Sequence, residues 1–226
     1  MTLKLGTGNK RSDATRMALI GAATEVFARS GFEAVGTRDI ATTAGVHPAL
    51  IGYHFGGKEG LYLAVFGHLA DSMEQRIGPA LSVIDQAMGV PGTPHEVSAR
   101  CLELLGHLCE AMLATLADEA SGPWGPLMMR EQQAPTAAFD LVYERFMKRV
   151  LDIMTRLAKT IDPGRSEESV RLAVVGLMGQ MMVFRVARAG ALRHLGWKQL
   201  GKKELSKVQA AFRENLARLL TCPPPK

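Results

Sequence analysis

Apolar residues in this chain recur at intervals of three and four rather than two, which predicts amphipathic helices and no sheet. Over 12–30, Met17, Ile20, Ala23, Val26 and Phe27 follow one helical face, and Gly31 stops the run. Thr37 suits the N-cap of a short second helix through Ile40 and Ala41, which Gly45 closes in the C′ position. Pro48 biases His47 away from helical geometry and is itself favoured as a first helical residue. A third helix is therefore expected from Pro48 to about Phe55, with His47 near its cap. Gly56 and Gly57 separate it from a run opened by Lys58, in which Leu61, Val65, Leu69 and Met73 stand four apart. Gly78 and Pro79 are expected to interrupt that run, leaving a short helix over 80–88 and a loop over 89–94. Further helices are predicted over 96–117, 127–133, 136–161, 166–190 and 203–220, separated by Gly122 to Pro126, Pro135 and Pro163-Gly164.

Composition narrows the picture. The 226 residues are 47% apolar and 22% charged, which excludes bulk disorder, and only 6% aromatic with 12 methionines, which favours packed helices. No stretch is read as reaching the ~18 apolar residues of a membrane span. The start, 1–13, is polar and lacks the apolar segment of a secretory signal, so a cytoplasmic protein without membrane partners is expected. Cys101 and Cys109 stand eight residues apart on one predicted helix, about 12 Å along its axis and too far for a disulfide. With Cys222 in the tail, the thiols are expected to be reduced and structural.

A short helix, a tight turn at Gly45 and a second short helix make a helix-turn-helix, whose second helix can enter a DNA major groove. The net charge of +5 suits a polyanionic partner. The run TRDIATTAGVHPALIGYHFGGKEGL, 37–61, resembles the DNA-binding signature of the TetR/AcrR family of transcriptional regulators. The matching positions are Thr37, Ile40, Ala41, Ala44, Gly45, Val46, Tyr53, His54, Phe55, Lys58 and Leu61. Phe27, Gly31 and Phe32 upstream fit as well, so the likeness covers roughly 12–65. The resemblance implies an all-α fold with a helix-turn-helix domain over 1–57 and a helical ligand-binding and dimerisation domain over 58–226. It also implies a homodimer, double-stranded operator DNA and a small-molecule effector as partners, and a repressor released from a palindrome by its ligand.

Within the motif, Ile40, Ala41, Val46, Ile51 and Phe55 are expected to pack the short helices together. Thr37, Tyr53, His54 and Lys58 carry donors near helix ends, the groups that satisfy phosphate oxygens, and the resemblance carries phosphate contact onto them. His47, Pro48, Ala49 and Gly52 lie on the first turns of the third helix, where base edges are met, and Arg38 on the neighbouring helix can bond guanine or a phosphate. His47, Leu50 and Gly52 stand where relatives commonly have serine, threonine and an aromatic residue, so base preference is this chain's own. Tyr53 and His54 could instead finish a small core, and Lys58 could pair with an acid on its own helix. Lys4, Lys10 and Arg11 form either an arm near the DNA or a solvated terminus.

Methionines crowd the second half, and flexible thioethers suit both ordinary cores and cavities that accept varied apolar ligands. The segment GPWGPLMMREQQAPT, 122–136, sets Trp124, Arg130, Gln132 and Gln133 beside apolar residues. It is similar to the CecR-like branch of the family, which responds to antibiotics or other xenobiotic compounds. Met112, Trp124, Met128, Gln132 and Met182 are the candidate ligand contacts. Gly176, Gly179 and Ala187 let a neighbour approach closely, which suits a two-fold four-helix interface or close packing within one subunit. No Walker loop, nucleophile elbow or zincin helix appears, so no enzyme, cofactor or metal is expected. Glu103, His107 and Glu110 share a helix face and are the alternative metal candidates. The rival function is a helical small-molecule-binding or catalytic protein whose motif no longer reads DNA.

Overall fold

The computed structural model describes residues 7–118 and 122–221, and among them it contains helices and connecting turns without strands. The helices are α1 (Thr7–Ser30), α2 (Thr37–Ala44), α3 (Ala49–Phe55), α4 (Lys58–Met88), α5 (Pro94–Ala117), α6 (Trp124–Gln133), α7 (Ala137–Val142), α8 (Lys148–Ile161), α9 (Glu167–Val186), α10 (Arg188–Leu195) and α11 (Lys202–Thr221). Lys4, Cys222 and the prolines after it lie outside the described residues.

Two compact units emerge. One comprises Met1–Ser72 and Gly122–Glu144, the other Met73–Ser121 and Arg145–Lys226. The first half of α4, α6 and α7 belong with the helix-turn-helix.

In the first unit, α1 buries Leu19, Ile20, Ala23, Val26 and Phe27, and α2 and α3 contribute Ile40, Ala41 and Ile51. Tyr62 of α4 meets Phe27 and Phe32 edge-on, with ring centroids 5.1 and 4.9 Å apart. In the second unit, α5, α8, α9 and α11 pack around Leu105, Leu108, Met154, Leu157, Leu177 and Leu216. Cys101 and Cys109 are buried as free thiols in that core, and burial pushes the Cys109 thiol up to about 12. It holds no thiolate at neutral pH. On the surface, Arg149 bonds Glu74 at 2.9 Å and Asp85 at 3.3 Å, and Arg156 bonds Asp85 at 3.0 Å. These pairs tie α8 to the second half of α4, each worth about 0–1 kcal/mol.

Several boundaries differ from expectation: α1 already begins at Thr7 and α6 at Trp124, and three further differences have a physical cause. The run from Lys58 does not break at Gly78-Pro79: α4 continues to Met88 with Pro79 inside it. An internal proline costs about 3 kcal/mol, but Ile77, Leu81 and Ile84 on either side are all buried, each worth about 1.5–3 kcal/mol, so burial prevails. The helix expected over 136–161 contains a π turn, Tyr143–Met147, between α7 and α8. Ala138, Val142, Phe146 and Val150 are buried at a constant spacing of four, which drifts about 40° per step on a 3.6-residue helix. The wider turn absorbs that drift. Finally, α9 stops at Val186, and a separate α10 follows that apolar periodicity did not announce.

α9 also departs from the reading that no stretch approaches a membrane span. At 20 residues it is long and apolar enough to cross a bilayer by length and composition alone. One of its faces, Val170, Ala173, Val174, Leu177 and Met181, lies in the core of the second unit.

Candidate nucleic-acid interface

The turn between α2 and α3 depends on Gly45. Its φ of 66° is left-handed, and its N–H and that of Val46 return to the carbonyls of Thr42 and Ala41, closing α2 before the chain reverses. The start of α2 corrects one expectation: Gly36, extended, is the N-cap, and the Asp39 carboxylate accepts the Gly36 N–H at 2.9 Å. Thr37 is therefore the first helical residue, half-buried, rather than the cap. At the start of α3, the Ala49 N–H donates to His47 Nδ1 at 3.2 Å. Pro48 is the N-cap rather than the first helical residue of α3, and the His47 side chain just before it takes up that first N–H; with Nδ1 accepting, the ring hydrogen resides on Nε2.

The remaining candidates form an exposed run. Arg38, His47, Ala49 and Gly52 are exposed, and Pro48 and His54 are half-buried. Tyr53 is 79% exposed, an unusual amount of open ring for a residue without a partner surface, and meets the His54 ring edge-on at 5.0 Å. Lys58 is half-buried with Nζ 4.2 Å from the centroid of Phe32. Between Thr37 and Lys58 the sequence holds Arg38, His47, His54 and Lys58 against one carboxylate, Asp39, which is already engaged as a helix cap. The face is thus basic and accepts phosphate oxygens readily. Of the expected packing positions, Ile40, Ala41 and Ile51 are buried, whereas Val46 and Phe55 are half-buried.

Gly60 and Glu131 carry no signal of their own in the sequence, and Arg130 takes a different place from the one expected. A Cβ on Gly60 would stand 1.8 Å from the Phe55 carbonyl oxygen, so only glycine lets the first turn of α4 press against the end of α3. Glu131 of α6 is 3% exposed, and its Oε1 accepts the Tyr62 hydroxyl at 2.8 Å while Oε2 accepts the Thr136 N–H and hydroxyl. Burial, then Glu131, hold the Tyr62 hydroxyl above its usual range. Beside it, Arg130 donates to the carbonyls of Phe27 at 2.6 Å and Ala28 at 3.1 Å, satisfying the open end of α1. The guanidinium thus caps a helix of the first unit. The only signal for Arg130 and Glu131 was an Arg-Glu pair in an otherwise apolar segment.

The five candidate ligand contacts fall on both units. Trp124, Met128 and Gln132 lie on α6, the first two half-buried and Gln132 exposed. Met112 is buried on α5 and Met182 half-buried on α9 in the second unit. Among Glu103, His107 and Glu110, the carboxylate of Glu110 is taken by Arg213 at 3.0 Å, and no group of three metal-ligating side chains stands together among the described residues.

A helix-turn-helix whose second helix is largely uncovered and flanked by Arg38 and Lys58 is the architecture of a DNA-binding protein. Residues 19–65 match the TetR family of bacterial regulatory proteins, and residues 102–221 match the C-terminal domain of the HTH-type transcriptional dual regulator CecR. CecR of Shigella flexneri is 30% identical over 188 residues, spanning 83% of this chain and 82% of the relative. The transcriptional repressor NicS of Pseudomonas putida is 35% identical over 74 residues, 33% of this chain and 35% of the relative. Among solved structures, FadR of Bacillus subtilis in complex with stearoyl-CoA superposes with a TM-score of 0.59 at 20% identity, covering 92% of this chain and 99% of that one. A TetR-family regulator from Streptomyces coelicolor reaches 0.62 at 16% identity, covering 92% and 95%. The chain belongs to the TetR family of transcriptional regulators, in the branch defined by the CecR C-terminal domain.

Proposed function

We propose that the protein is a cytoplasmic homodimeric repressor that occupies two half-sites of a palindromic operator and leaves it when a small, mostly apolar compound binds. The observation that carries the reading is the exposed, basic run from Arg38 to Lys58, with its one carboxylate engaged in capping. In this reading Thr37, Tyr53, His54 and Lys58 hold phosphates, and His47, Pro48, Ala49 and Gly52 face base edges. Arg38 serves either a phosphate or a guanine.

Dimerisation is supported by α9. Leu172, Val175, Val183 and Val186 are exposed on the face that also carries Gly176 and Gly179, where an added Cβ would meet nothing within 4 Å. A second copy of α9 across a two-fold axis covers such a stripe. For the effector, the thioethers of Met112, Met128 and Met182 favour apolar ligands of irregular shape, with Trp124 and Gln132 as the remaining candidate contacts. The structural neighbour bound to stearoyl-CoA takes a ligand with a long apolar chain on a polar nucleotide, so its acyl part alone accords with this reading. The names of NicS and CecR, repressor and dual regulator, support repression as the sign.

A salt titration of binding to the DNA upstream of its own gene tests the reading. Affinity is expected to fall steeply with ionic strength, and Lys58→Ala to weaken binding to all sequences alike while lowering the log–log salt slope by about one unit. A wild-type affinity indifferent to salt would reject DNA binding as the function.

A further inference from the structure

Two cations of the first unit rest on aromatic rings. Lys58 lies over Phe32, and the guanidinium carbon of Arg16 lies 5.5 Å from the centroid of Phe55, the last residue of α3. Arg16 stands outside the turn motif, on α1. It precedes Ile20, Ala23 and Phe27 at helical spacing on the stripe that α1 buries, yet it is itself exposed. The core ends at Arg16, so the side chain covers the Phe55 ring at the core's edge and keeps its charged head in water.

We infer that Arg16 is a further DNA-phosphate contact of this protein, held at the C-terminal end of α3 by the Phe55 ring; the inference rests on the DNA-binding reading above. Asp13 stands three residues away on the same helix, a spacing at which ion pairs form, yet no ion pair engages Arg16 among the described residues. A ring attracts a guanidinium through its quadrupole without neutralising it, so the full charge stays available to a polyanion. The planar group stacks by its face and donates by its edge at the same time, which suits bidentate phosphate contact. The place is also right: Phe55 lies 6.0 Å, ring to ring, from His54, and Lys58 begins three residues further on. Arg16 thereby joins Tyr53, His54 and Lys58 in a row that fixes the register of α3 without reading sequence.

Anisotropy titrations of the full chain over a range of salt test this, using a duplex from upstream of its own gene and a random-sequence duplex of equal length. Arg16→Met keeps an apolar stem on Phe55, and Arg16→Gln removes the charge differently; thermal melts confirm that each variant is folded. Both are expected to weaken binding by a similar factor on the two duplexes and to lower the salt slope by about one unit. Arg16→Lys is expected to keep the slope while losing part of the affinity, since an ammonium cannot stack and donate as a fork. A wild-type slope in either folded neutral variant overturns the role of Arg16, while a lowered slope for Lys58→Ala in the same series shows that the DNA-binding reading stands. Absence of salt-dependent binding by the wild type overturns both.

Discussion

In the proposed reading His47 does two jobs with one ring. Its Nδ1 accepts the Ala49 N–H at the start of α3, which leaves Nε2–H as the donor available to a base acceptor. His47→Ala is expected to change preference at one or two base positions per half-site by about 1–3 kcal/mol, measured across single-base operator variants. Equal loss on every variant would reduce the residue to its role at the start of α3. Tyr62 and Glu131 act at the same scale but inside the unit. Tyr62→Phe leaves the buried Glu131 Oε1 without its donor, and a fall of about 1–3 kcal/mol in unfolding free energy is expected from denaturant titration. The Tyr62 hydroxyl is raised in the fold, so the neutral form is the stabilised one. Its contribution is complete below about pH 10, the ordinary tyrosine value, and is lost as pH rises toward the folded-state value. The gap between wild type and Tyr62→Phe is therefore expected to shrink at strongly alkaline pH.

Among the elements, the corner between α3 and α4 is the least tolerant. Gly60→Ala sets a methyl against the Phe55 carbonyl, a backbone atom that cannot swing away, so the corner must open. Overpacking of this kind costs about 1–3 kcal/mol, and here it also displaces Lys58 and the end of α3. A lowered melting temperature together with weakened DNA binding is expected, whereas Gly52→Ala, with nothing within 4 Å of its Cβ position, is expected to leave the melting temperature unchanged or raised. The helices themselves were legible in the sequence because periodicity, Gly45 and Pro48 act within a few residues. Their continuity was less so: Gly78-Pro79 reads as a break, and only the burial of Ile77, Leu81 and Ile84 shows why α4 runs through it.

For the whole molecule, the proposed function depends on two copies. Leu172, 66% exposed, sits on the open stripe of α9 with Val175, 63% exposed. Leu172→Glu is expected to convert a dimer into monomers by sedimentation and to reduce operator affinity sharply, because the second half-site no longer gains from being tethered to the first. A variant that remains dimeric would place the interface elsewhere.

The sequence alone determined that this chain is helical, that its start is a helix-turn-helix, and which side chains cluster around α3. Those features follow from local spacing, glycine geometry and the identity of a short motif. Which segments belong together was decided by the tertiary structure. Glu131 reaches Tyr62 across 69 residues of chain, and Arg130 reaches Phe27 across 103, so two residues of the segment 122–136 brace α1 and α4. The same holds for Gly60 against Phe55 and for Arg16 over its ring: each depends on two helices meeting at one distance. Periodicity gives the faces of helices, but the pairing of faces is fixed only when the core closes.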